Sequence, residues 1–350
     1  MAGSETMKAA VYIGPGELRI EDRPIPVPGP GEVLLEVSHC GVCGSDIHFV
    51  LEGWGRPGAI EGHEWSGVVS EVGEGVTDFA IGDEVLGGPS AKCGECRYCK
   101  EGRPSLCEGR GKVGVEDNGW QGAFATYIKS DAQQLLRVPE GLSLRHAALA
   151  EPMAVALHGI TRAGGFGAGD RWLITGGGPI GYLSVAALKA NGVDDIVVSE
   201  PAASRRALCE ALGAQTVTPD ELVEPAFPHE VIENGFDIAL ECSGHAVAQT
   251  AALTQLRRGG TLVLVGAGVK TPKFNPNRIL LNELTITGAF VYDEGGFDAA
   301  IELLASGRVP LDLLVEARDF PLDDLFDTMT GLAAGEIAAK AMITPQEVTR

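Results

Sequence analysis

The stretch RWLITGGGPIGYLSVAALKA, residues 171–190, sets an apolar run, Trp172–Thr175, directly before Gly176, Gly178 and Gly181. An alanine- and leucine-rich segment follows at once. Three glycines at this spacing between a strand and a helix leave few folds open. The first permits a turn too tight for a β-carbon. The second lets a phosphate approach the backbone, and the third lets the helix lie close on the strand. Pro179 and Ile180 open that helix, whose first N–H groups are free to meet an anion. In this setting the pattern predicts a dinucleotide-binding unit on a parallel, doubly wound α/β sheet.

A second strand over 195–199 ends at Glu200, nineteen residues beyond Gly181. An acid there hydrogen-bonds the adenosine ribose hydroxyls and repels a 2′-phosphate, so NAD is expected rather than NADP. Arg205 and Arg206 pull the other way if they reach the cofactor. They are neutral to the choice if they lie on the solvated face of a helix over 202–212. The alternation continues with a strand over 236–241, an alanine-rich helix over 246–256 and a strand over 261–265.

The chain has 350 residues and eight cysteines, four of which crowd into AKCGECRYCKEGRPSLCEGR, residues 91–110. Disulfides suit small exported domains, and a redox pair is a single C-x-x-C beside a βαβ unit. The spacing of Cys93, Cys96, Cys99 and Cys107 instead lets four thiolates converge on one Zn²⁺. Such a site has no open coordination position, so its role is to fold its own loop, and catalysis must be sought elsewhere.

Upstream, HCGVCGSDIH (39–48) and GHEWSG (62–67) supply Cys43, His63 and Glu64: one sulfur, one imidazole and one carboxylate, a donor set suited to a catalytic zinc with room for substrate. AEPMAVALHG adds Glu151. Each residue alone is as readily packed core or, for Glu151 before Pro152, a helix start.

A net charge of −21 argues against a nucleic-acid partner and an anionic membrane surface, both of which are bound through Lys and Arg. No run of eighteen apolar residues indicates a membrane span, and MAGSETMKAAVY lacks the basic and apolar regions of a secretory signal. A cytoplasmic protein is expected, and the length allows two cores.

Taken in order, these motifs resemble the zinc-dependent medium-chain alcohol dehydrogenase family. The C-G-x-C-x-[ST]-D segment is matched by 40–46, G-H-E-x-x-G by 62–67, and the four-cysteine lobe by Cys93, Cys96, Cys99 and Cys107. Glu151-Pro152, where many members carry a cysteine, resembles the sorbitol, threonine and butanediol dehydrogenase branch. The resemblance implies a β-rich GroES-like catalytic domain over 7–154, a Rossmann domain over 155–288 and a return to the catalytic domain over 289–350. The active site is expected in the cleft between them. It implies two zinc ions per chain, with Cys43 and His63 as fixed catalytic ligands and Glu64 and Glu151 sharing the remainder. It also implies NAD, a small alcohol substrate, and a homodimer or homotetramer.

By the same resemblance, Ser45 takes the substrate proton and passes it through the nicotinamide ribose to a solvent-facing His48, while Asp46 orients His63. Cys242 and Gly244, with the turn from Val265 through Gly266 to Gly268, pass near the nicotinamide. Gly44 stands where relatives carry a basic residue, which leaves the pyrophosphate to the helix N-terminus and Lys340. Trp54 and Trp120 are candidates for the substrate pocket or for core. The activity implied is reversible oxidation of a secondary alcohol or polyol. A zinc-free quinone or enoyl reductase and a non-catalytic regulator are the competing readings.

Overall fold

Strands here follow from β-branched and leucine-rich runs whose faces are covered. The computed structural model describes residues 6–87, 92–109, 121–167 and 169–346. It divides into two units, one of residues 1–151, 300–306 and 315–350, the other of 152–299 and 307–314. No helix among the described residues is long and apolar enough to cross a membrane.

In the first unit the central strand is Glu32–Gly41, EVLLEVSHCG. It pairs antiparallel with Glu64–Val72 on one side, while Met342–Thr344 pairs with its last two residues. Two registers matter for function. Gly41 lies opposite Glu64 in one ladder and opposite Met342 in the other. The chain then leaves the strand and enters the helix Gly44–Leu51, so Cys43 sits at the helix N-cap, beside the start of the Glu64 strand. Val33, Leu35, Val37 and Cys40 pack with Tyr12, Phe124 and Met329 into the core beneath.

The second unit is a six-stranded sheet in the order Gln215–Val217, Ile196–Ser199, Trp172–Thr175, Phe236–Glu241, Leu256–Leu264, Thr285–Gly288. Every adjacent pair is parallel. Numbered from Trp172–Thr175, the order is that of a dinucleotide-binding sheet, with its reversal between the first and fourth strands. WLIT and IVVS are buried at every position, as expected of strands covered on both faces. The fifth strand starts at Leu256, five residues before the expected start at 261, because a register irregularity accommodates the exposed Arg257–Gly259 stretch.

Candidate metal and cofactor sites

Cys43, His63 and Glu64 come together with their ligand atoms all within 4.8 Å of one another. The helix start fixes this arrangement. Asp46, fully buried, accepts the backbone N–H of Cys43 at 2.8 Å through one oxygen. Its other oxygen lies 3.4 Å from Nδ1 of His63, which leaves Nε2 to face the cluster. Ser45 Oγ is 3.5 Å from that Nε2. Burial alone would depress the His63 imidazole, but Asp46 and the Cys43 sulfur reverse this and hold it well above the usual histidine range. A site that draws a proton onto imidazole in this way has the potential and the donor set of a cation site, and the three residues fit zinc.

Glu64 has no exposure, and its carboxylate is held by Lys340 Nζ at 2.8 Å and 2.7 Å through its two oxygens. The same ammonium donates to the Val42 carbonyl at 3.0 Å. Gly41 makes the contact possible, since a β-carbon there would overlap the Glu64 carboxylate and press on the Lys340 stem. Lys340 is only 1% exposed, so the expectation that it meets the cofactor pyrophosphate does not hold. Its charge is committed to Glu64. Glu151 is buried nearby and is pushed up to about 7 by desolvation, with His63 opposing and Glu64 adding to the shift. It stands outside the close trio.

Glu61 escaped the sequence reading. It is buried two residues before His63 and is pushed up to about 7 by desolvation, with Asp46 adding and His63 opposing. Nothing local distinguishes it from a surface glutamate. Cys40 takes no part, because its thiol is buried against the glycine turn at Gly62.

His48 is less open than expected. Its side chain is 25% exposed, its ring stacks on Trp54 at 4.7 Å between centroids, and Nδ1 lies 3.0 Å from Glu52. Trp54 therefore neither enters the core nor stands free. Trp120 lies outside the described residues.

The four lobe thiols also converge within 4.8 Å, with Cys93 Sγ 3.5 Å from Cys107 and 4.0 Å from Cys99. A tetrahedron of sulfurs on zinc has edges of about 3.8 Å, given a metal–sulfur bond of about 2.3 Å. Backbone N–H groups lower the thiols of Cys93, Cys96 and Cys107, while desolvation first, and then the neighbouring thiols, push Cys99 up to about 12. A divalent cation removes that conflict, so the lobe too fits zinc.

In the second unit Gly176 turns at φ 96°, and a β-carbon on Gly181 would overlap the Gly176 carbonyl. A β-carbon built on Gly178 would point into open space, which leaves room for a phosphate to approach. Helix Pro179–Ala190 starts there. Glu200, 4% exposed, accepts from the N–H of Gly177 at 2.7 Å and of Ala202 at 2.8 Å. Arg206 is occupied by the carbonyls of Glu200 and Pro201, while Arg205 is half-buried in helix Ala203–Ala211. Glu241, fully buried and unmarked in the sequence, accepts from the N–H groups of Ser243 at 2.8 Å and Gly244 at 3.1 Å. It thereby shapes the turn at Cys242. Gly244 and the pair Gly266 and Gly268 meet backbone to backbone, so this turn and the one after Val265 are locked together.

Comparison with known proteins agrees with this chemistry. The family profile "Alcohol dehydrogenase GroES-like domain" matches residues 29–140, and "Zinc-binding dehydrogenase" matches 179–306. The chain is 34% identical to 2-dehydro-3-deoxy-L-galactonate 5-dehydrogenase of Pseudoalteromonas atlantica, over 96% of this chain and 98% of the relative. It is 34% identical to sorbitol dehydrogenase of Bacillus subtilis, over 93% of each. The crystal structure of 2R,3R-butanediol dehydrogenase from Bacillus subtilis is similar with a TM-score of 0.84 and 32% identity, over 97% of this chain and all of that one.

Proposed function

The chain belongs to the zinc-dependent medium-chain alcohol dehydrogenase family, in the sorbitol and butanediol dehydrogenase branch, and we propose that it oxidises a secondary hydroxyl of a vicinal diol or polyol. It is an NAD-linked oxidoreductase acting on CH–OH. The zinc-free reductase and the non-catalytic regulator are not favoured, because both donor sets are present and assembled.

One observation carries the reading: half-buried Cys43 and His63 converge with buried Glu64, whose charge is matched by Lys340. When bound, zinc there would supply a Lewis acid that eases loss of the substrate hydroxyl proton, and the nicotinamide cofactor would supply the hydride acceptor. The rest is work for the chain's own residues. Cys43, His63 and Glu64 hold the ion, with Asp46 fixing the His63 ring and Glu151 as a further carboxylate at the margin. Ser45 Oγ, close to His63, is placed to receive the hydroxyl proton, and His48 lies three residues on along the same helix face. Glu200 selects NAD by charge, and the space at Gly178 admits the pyrophosphate.

The diol or polyol preference rests on what the similar proteins are named for. A homodimer or homotetramer in the cytoplasm belongs to the same proposal. Sorbitol, (R,R)-2,3-butanediol, threonine and a cyclic secondary alcohol, each followed by NADH absorbance, test it. Turnover of the diol or polyol above the monohydric alcohol is expected. Preference for the monohydric alcohol or for threonine contradicts the substrate class, and no turnover of any contradicts the activity.

A further inference from the structure

The helix that carries Ser45 and His48 ends at Leu51, and the chain then folds back on itself. The N–H groups of Glu52 and Trp54 both reach the His48 carbonyl, at 3.2 Å and 3.3 Å. This return lays the Trp54 indole on the His48 ring, 16° from parallel, and sets the Glu52 carboxylate 3.0 Å from Nδ1. Nδ1 is shielded from water and makes no hydrogen bond, so the Glu52 carboxylate, itself 43% exposed, acts on it through charge alone. The ring is thus stacked on one face by the indole, and one shielded nitrogen faces a carboxylate at 3.0 Å.

We propose that Glu52 is a positioning residue for His48, its negative charge beside the shielded Nδ1 favouring the proton there so that Nε2 is the nitrogen left to act as base. This rests on the reading of His48 as part of the proton path. A neutral imidazole carries its proton on one nitrogen only, and a carboxylate facing Nδ1 favours the tautomer with the proton on that side. The step then balances as a proton transfer. The proton released by the substrate hydroxyl ends on Nε2, Nδ1 keeps its own, and Glu52 offsets the positive charge until Nε2 passes the proton to water. Trp54, stacked on the ring, holds its plane. An ordinary surface pair at this i, i+4 spacing contributes little to stability. The distinguishing feature is the shielded nitrogen.

The test uses Glu52→Gln in the full zinc-loaded chain, with (R,R)-2,3-butanediol and NAD, reading NADH formation in the first turnover. Gln keeps the size but presents an amide that can donate to Nδ1 and so favour the wrong tautomer. The rate is expected to fall roughly tenfold, with a larger solvent deuterium isotope effect and little change in either KM. Glu52→Asp is expected to recover most of the loss. An unchanged rate in Glu52→Gln, or a slower one with the isotope effect unmoved, overturns the proposal. His48→Gln separates the two levels. If it too leaves the first turnover unchanged, the proton path through His48 fails, whereas a slow His48→Gln beside a normal Glu52→Gln defeats the role of Glu52 alone.

Discussion

A carboxylate with no solvent exposure, such as Glu64, is retained in a protein interior only beside a cation or a full set of donors. Lys340 provides that charge from 276 residues away in the chain. In the zinc-free chain, Lys340→Met should leave Glu64 uncompensated and cost roughly 3–5 kcal/mol by urea melts. The double variant with Glu64→Gln should recover part of this, and a full-strength single variant would show that the pair contributes nothing. Glu200 presents a different case, since its carboxylate is already tied to Gly177 and Ala202. Glu200→Ala should narrow the preference for NAD over NADP by roughly tenfold or more in kcat/KM. A preference left intact would remove the charge argument. Neither the Lys340 contact nor the shielding of His48 was legible in the sequence. Each depends on a chain segment returning from a distance or through a fold-back, and neither leaves a spacing pattern.

Elements were far more legible where period and punctuation agree. Trp172–Thr175 and Phe236–Glu241 lie where apolar runs and following glycines place them. The fifth strand of the parallel sheet starts earlier than expected, because two arginines and two glycines conceal its first half. The four-cysteine lobe was legible because all four ligands are local in sequence. Cys107→Ser should reduce zinc from about two to about one per chain and raise hydrogen exchange across 92–109, while NADH formation persists. Equal protection would mean that metal does not fold the lobe.

The strand Glu32–Gly41 is tied near its end by His39, 3.4 Å from Asp319, and burial keeps this imidazole below its usual range although Asp319 opposes the shift. Above about pH 6.5 the ring is neutral whether folded or not, and it costs nothing. As pH falls below that value the unfolded chain takes up the proton first, so stability declines until the folded-state value is passed. His39→Gln should flatten urea midpoints across that window, and an unchanged slope would assign the decline to other groups.

At the largest scale, the sequence divides its labour between a unit that gathers side chains able to hold a metal on an antiparallel sheet and a unit that offers a glycine turn on a parallel one. The net charge of −21 fits neither a nucleic-acid nor an anionic membrane partner, in line with a small-molecule enzyme. The proposed catalysis requires an open zinc site at Cys43, distinct from the closed site of the lobe. Cys43→Ala, assayed together for zinc content and for NADH formation with (R,R)-2,3-butanediol, addresses this most directly. The expected result is a folded chain with about one zinc instead of about two and a loss of roughly a thousandfold or more in rate. Two zincs per chain with undiminished NADH formation would contradict it.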